Sequence, residues 1–304
     1  MILSDIIAQQ LVNGLVLGSV YALAALGYTM IFGVIKLLNF AHGDIYMVGG
    51  FVGFMILSAI SSLVGEGWIG IFCAMFLSML AVGCFGVLIE RLAYHPMLSA
   101  PRLSILITAL AVSLVLQNAV LALTGGEHTA FRTDLGFDGV ELGTLFITYN
   151  QIILVASAAA LMIALEVFVA HTRYGRAMRA VAVDKDMCRL MGINVETIIG
   201  VTFFIGSALA AAAGTMAGAY YGSIWYFMGF LIGIKAFTAA VIGGIGSIPG
   251  AMLGGLMLGL LEAFGTQIPG IGSEWKDVFS FSVLILVLVF KPTGILGKSE
   301  QERM

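Results

Sequence analysis

Asn39, His42 and Asp44 fall within one six-residue stretch of otherwise apolar sequence. An amide, an imidazole and a carboxylate this close can hydrogen-bond a small polar solute. They can equally lock a break in a helix. A break at membrane depth is tolerated only where it is buried in protein or lines a wet cavity, and discontinuous helices of this kind often build solute sites. The same residues also fit a short loop at a membrane surface, with Asp44 capping the helix that follows.

A second break is written in glycine. Gly243, Gly244, Gly246, Ser247, Pro249 and Gly250 separate two apolar pieces, 230–242 and 251–264, each too short to span comfortably. A phosphate-binding loop is excluded, because no Lys-Ser/Thr pair follows and no strand precedes. The segment reads as a hinge or as backbone lining a path. Lys235 and Glu262 lie in its two arms, and ionisable groups inside membrane segments usually face an interior or a water cavity. His42, His95, His128 and His171 are scattered, so the sequence suggests no metal centre and no clustered catalytic set. Cys73, Cys84 and Cys188 read as free thiols.

The third chemical feature is a charged island, HTRYGRAMRAVAVDKDMCRLMGINVE, from His171 to Glu196. Arg173, Arg176, Arg179, Lys185 and Arg189 concentrate there, and long apolar runs flank it. Charge on this scale must lie outside hydrocarbon, and its Lys/Arg excess assigns it to the cytoplasmic side. Residues from about Asp184 to Met191 can form a short helix stopped at Gly192, with Leu190 and Met191 as a small apolar face among charges. Such a helix suits docking by a cytoplasmic protein; a plain topology signal would look similar.

The elements that must position these groups follow from composition. The chain has 304 residues, of which 60% are hydrophobic and 10% charged, with a net charge of −3. Soluble domains carry about 25% charged residues. Repeated runs of about 20 apolar residues match helices crossing a core of about 30 Å. The fold class is therefore all-α and polytopic, with about eight hydrophobic segments, or up to ten helices if both broken ones count twice. Spans are expected at 8–26, divided near Gly27 from a piece reaching Lys36, then at 45–63, 69–90, 103–123, 151–170, 197–217 and 276–290. Gly14/Gly18, Gly250/Gly254 and Gly255/Gly259 have the GxxxG spacing of close helix contacts. The loop 124–149, mostly acidic, belongs outside, where it can form a cap. Tyr220, Tyr221, Trp225 and Tyr226 read as an outer aromatic belt. Both termini are expected in the cytoplasm. No basic tract points to nucleic acid.

Three stretches in order carry a resemblance over nearly the whole chain. NGLVLGSVYALAALGYTMIFGVIKLLNFAHGDIYMVGGF (Asn13 to Phe51), TRYGRAMRAVAVDKDMCRLMGINV (Thr172 to Val195) and AVIGGIGSIPGAMLGG (Ala240 to Gly255) resemble the branched-chain amino-acid ABC transporter permeases. The resemblance implies an ABC importer permease fold, one permease domain over 1–304, and a bacterial inner-membrane protein. It implies a second permease subunit, two ATP-binding subunits and an extracytoplasmic substrate-binding protein as partners, besides membrane lipid. It implies no enzyme activity and no cofactor on this chain, with ATP bound by the partner subunits. The ATPase-coupling residues would be Gly175, Arg176, Arg179, Asp184, Arg189, Leu190 and Gly192 in the loop 171–196. That loop lacks the literal Glu-Ala-Ala and Leu-Pro of the better-known importer loop. Asn39, His42, Asp44, Gly243, Gly244, Gly246 and Ser247 would line the translocation path. The implied substrate is a leucine-type amino acid; other amino acids, or urea and amides, remain open. A secondary transporter or channel working without an ATPase, and an intramembrane enzyme, are the rival classes.

Overall fold

The computed structural model describes residues 3–36, 38–97, 100–131, 133, 138–142, 145–267 and 273–297. Eleven α-helices dominate them: α1 (Leu3–Ile35), α2 (His42–Val64), α3 (Trp68–Ile89), α4 (Arg102–Thr124), α5 (Tyr149–His171), α6 (Arg173–Val183), α7 (Lys185–Leu190), α8 (Val195–Tyr221), α9 (Met228–Gly243), α10 (Ile248–Gly265) and α11 (Lys276–Phe290). Seven helices are long and apolar enough to cross a membrane, and α9 is a shorter apolar helix. The all-α, multi-span expectation is met, and the spans expected near 103–123 and 151–170 agree with α4 and α5 to within a few residues; the 276–290 stretch is helical as α11, but with 15 residues it is not one of the seven.

The helix α1 is the axis. Its middle is buried almost continuously from Ser19 to Ile31. Its Gly14 and Gly18 meet the backbone of Leu260 and Leu256 on α10, while Gly255 and Gly259 on α10 meet Ala22 and Gly18. Removing Cβ atoms on both helices lets the backbones touch, which is how membrane helices gain dispersion contact without a hydrophobic drive. The second seam joins α8 to α2 and α3. Ala210 to Ala213 are fully buried. Gly49 and Gly214 allow the α2–α8 approach, and Gly86 on α3 lies against Ser207.

Three expectations need correction. The first apolar stretch does not divide at Gly27; α1 runs unbroken through it. Gly27 instead makes room for a side chain, since a Cβ there would sit 2.2 Å from the His42 ring. The external segment is not purely loop: β1 (Thr129–Ala130) pairs antiparallel with β4 (Ser223–Ile224), and β2 (Gly139–Leu142) with β3 (Leu145–Thr148). Arg132 and Asp134 of that segment lie outside the described residues.

The third correction concerns the ends of the chain. Near the start of α1, Gln9 donates to the Phe146 carbonyl, so this end lies beside the 124–149 segment. At the other end of α1, Lys185 of the charged island donates to the Ile35 carbonyl. Residues 295–296 bond to Ile242 and Gly243, and the adjoining Gly246 packs near Gly33. The two described ends of the chain thus sit at opposite ends of the bundle, where the expectation is the same side for both.

Candidate functional site

The first break lies where α1 hands over to α2. The chain leaves α1 at Ile35 and climbs back beside it, so that His42, the first residue of α2, bonds through Nε2 to the Ala24 carbonyl at 3.2 Å. Asn39, Ala41, His42 and Asp44 are all buried. The break is thus enclosed in protein, one of the two settings in which irregular backbone survives at depth. Asp44 does not cap α2, whose N-cap is Ala41. Its carboxylate accepts from Ser113 at 2.5 Å and from Gln117 at 3.0 Å, both on α4. The Asn39 side-chain carbonyl accepts from the Ala41 amide at 3.1 Å and from the Tyr94 hydroxyl at 2.5 Å. Tyr94 is delivered by a π-helical turn, Glu90–Tyr94, that extends α3. His42 stacks edge-on against Tyr28, 4.7 Å between centroids.

The second break is a hairpin tip. Gly243 and Gly250 touch backbone to backbone, and Gly254 packs on Ala239, so α9 and α10 run antiparallel from that point. Gly244 and Gly246 adopt φ of 107° and 90°, which side chains with a Cβ rarely accept. Ser247 caps α10 by accepting from the Gly250 amide at 3.2 Å. The tip is covered by Gly294 and Gly297. The two breaks are therefore not brought together: one is in the core beside α4, the other at the island end of the bundle.

A cavity of about 640 Å³ opens near the β1–β4 strands and is lined by residues including Gln10, Asn13, Tyr46, His128, Trp225 and Ile232. At its floor is a charge cluster. Lys235 on α9 lies 3.0 Å from Glu262 on α10 and 2.7 Å from Asp277 on α11. Tyr21 donates to Glu262 at 2.8 Å, and Ser280 donates to the other Glu262 oxygen. Lys235 and Glu262 are buried, whereas the Asp277 side chain is 41% exposed. The sequence marks Lys235 and Glu262 as functional by their depth. It does not mark Tyr21 or Asp277, which look like an ordinary core aromatic and a helix-start acid.

The charged island folds as two helices, where one is expected. Thr172 caps α6 by accepting from the Gly175 amide at 3.0 Å. Gly175 packs directly on the Val169 backbone. Arg179 donates to the Val169 and Ala170 carbonyls, closing the end of α5. Asp184 caps α7 by accepting from the amides of Asp186 and Met187, each at 2.9 Å. Gly192, with φ 79°, ends it. Arg189 pairs with Asp186 at 3.5 Å on the open surface, and Arg176 is exposed. Burial and the nearby Arg189 hold the Lys185 amine below its ordinary pKa, against the pull of Asp186. Val183, Leu190 and Met191 stand more than 80% exposed beside these charges.

Among the described residues no group of three or more His, Cys, Asp or Glu is placed to hold a metal ion. Cys73, Cys84 and Cys188 are free.

The sequence matches, over residues 10–288, a family described as the permease component of branched-chain amino acid transport systems. Among curated proteins it is 46% identical over 301 residues to the high-affinity branched-chain amino acid transport permease BraD of Pseudomonas aeruginosa, covering 97% of each chain. It is 44% identical over 301 residues to LivH, the corresponding permease of Escherichia coli, again covering 97% of each.

Proposed function

We propose, because the chain belongs to the branched-chain amino acid transport permease family, that it is the membrane-spanning subunit of an ATP-driven importer of leucine-type amino acids. The observation that carries this reading is similarity at 46% identity over 97% of each chain. The chain acts as one permease domain and carries no catalysis of its own. A second permease, two ATP-binding subunits and an extracytoplasmic binding protein complete the machine.

The segment 171–196 is the ATPase-coupling loop. Its geometry divides the expected contact residues by job. Arg179, Asp184, Gly175 and Gly192 shape the two short helices, while Arg176, Arg189 and Leu190, joined by Met191, offer the surface that an ATPase grips. An exposed apolar patch rimmed by charge is the usual form of a protein docking site. The positive-inside rule assigns this end to the cytoplasm. The start of α1 and the segment 124–149 then face outward, and the residues after α11 face the cytoplasm. The setting is a bacterial inner membrane. The breaks at Asn39–Asp44 and Gly243–Ser247 act as fixed points about which the spans rock, with His42, Gly244 and Gly246 as their pivots.

The test is uptake by liposomes holding the whole importer, supplied with binding protein and internal ATP. Leucine should accumulate only when ATP and both ATP-binding subunits are present. Accumulation by the permeases alone would establish the secondary-transporter reading instead.

A further inference from the structure

The cavity over the charge cluster has the features of a ligand site. Its volume of about 640 Å³ falls in the roughly 300–1,000 Å³ range of small-molecule pockets, which pair an apolar wall with a few fixed polar groups. Leu17, Leu231 and Ile232 give the apolar wall, and Lys276 and Asp277 stand together at the start of α11 on the same cavity. The interior of the cluster is fully occupied: both Glu262 oxygens accept hydrogen bonds, and Lys235 is shared between Glu262 and Asp277. Lys235 and Glu262 therefore act as a buried anchor that fixes Asp277 in place, while Asp277 stays 41% exposed to the opening. One carboxylate and one ammonium, adjacent and accessible, complement a zwitterion.

We propose that this vestibule is a reception site for free amino acid on the permease itself. Asp277 takes the ligand's ammonium, Lys276 its carboxylate, and the aliphatic side chain rests on Leu17, Leu231 and Ile232. The proposal rests on the amino-acid-import reading above, and it adds a selective step after release from the binding protein. Lys235 and Glu262 are positioning residues; they hold Asp277 and touch no ligand.

The experiment uses the permease–ATPase complex in lipid nanodiscs with the binding protein left out. Labelled leucine is titrated into the millimolar range. Two competitors are added in turn: 3-methylbutylamine, which lacks the carboxylate, and 4-methylpentanoate, which lacks the ammonium. Both should displace leucine from the unaltered complex. Asp277→Asn should bind leucine about tenfold more weakly, the size of one charge-assisted hydrogen bond, and lose sensitivity to the amine alone. Lys276→Gln, at an exposed position, should lose sensitivity to the acid alone. Ile232→Trp, which fills the cavity without altering charge, should abolish binding. Leucine binding and competition unchanged in Asp277→Asn and Lys276→Gln would overturn the site, as would no binding by a complex that imports leucine once binding protein is restored. Failure of that restored, unaltered importer to move leucine would overturn the import reading itself.

Discussion

Two buried polar clusters sit in this bundle, and they differ in what is left over. Around Asn39, His42 and Asp44, the carboxylate and the amide carbonyl are met by Ser113, Gln117, Tyr94 and backbone, and the atoms left without a partner, Asn39 Nδ2 and His42 Nδ1, are buried. Around Lys235, Glu262 and Asp277, the inner groups are met in the same way but the outermost carboxylate faces open volume. Depth alone marks both as important. What separates scaffold from receptor is whether a charged atom remains on offer beside space that a solute can enter.

Breaking the second cluster should have the largest effect. Lys235→Met leaves two buried or half-buried carboxylates without their cation, a loss of about 3–5 kcal/mol. The assembled complex should melt well below the unaltered one in a detergent thermal scan, and adding Glu262→Gln with Asp277→Asn should recover most of the difference. A normal melt for the single variant would mean that charge is not what holds the floor.

In the first cluster the limiting quantity is space. Gly27→Val drives a side chain into the His42 ring and should cost about 1–3 kcal/mol by overpacking, read as reduced yield of assembled complex. Gly33→Ala is the control, since the nearest atom to its new Cβ is 3.7 Å away.

Asp44→Asn sharpens the contrast further. One nitrogen replaces an acceptor facing Ser113 or Gln117, so about 1–3 kcal/mol should go with the mismatched bond. Assembly and uptake should fall together. Uptake that collapses while assembly holds would move Asp44 from scaffold to path. The smallest stability effect belongs to the exposed island: Leu190→Ser with Met191→Ser should stay within about 0.5 kcal/mol, yet uncouple ATP hydrolysis from uptake.

Much of this was legible in the chain. The apolar spans, the GxxxG seam of Gly14 and Gly18, the short helix ending at Gly192 and the glycine hairpin all follow from local rules. The misreadings share a cause. Gly27 looks like a helix break because a helix of 33 residues, about 50 Å long, exceeds the hydrocarbon core. Its excess length is accommodated by packing on α8 and α10, which no local rule contains. The extra helix α6 hides among arginines because its apolar stripe is only Met178 and Val181. Asp277 is silent in sequence because its meaning comes from Lys235, more than 40 residues away.

The re-entrant start of α2 sets an order of events during synthesis. The partners of Asp44 are 69 and 73 residues further along the chain. At about 5–20 residues per second, the nascent carboxylate waits several seconds for them. Until α4 emerges, the Asp44 carboxylate lacks both of these donors, so the start of α2 reaches its native hydrogen bonding only after the fourth helix has been made.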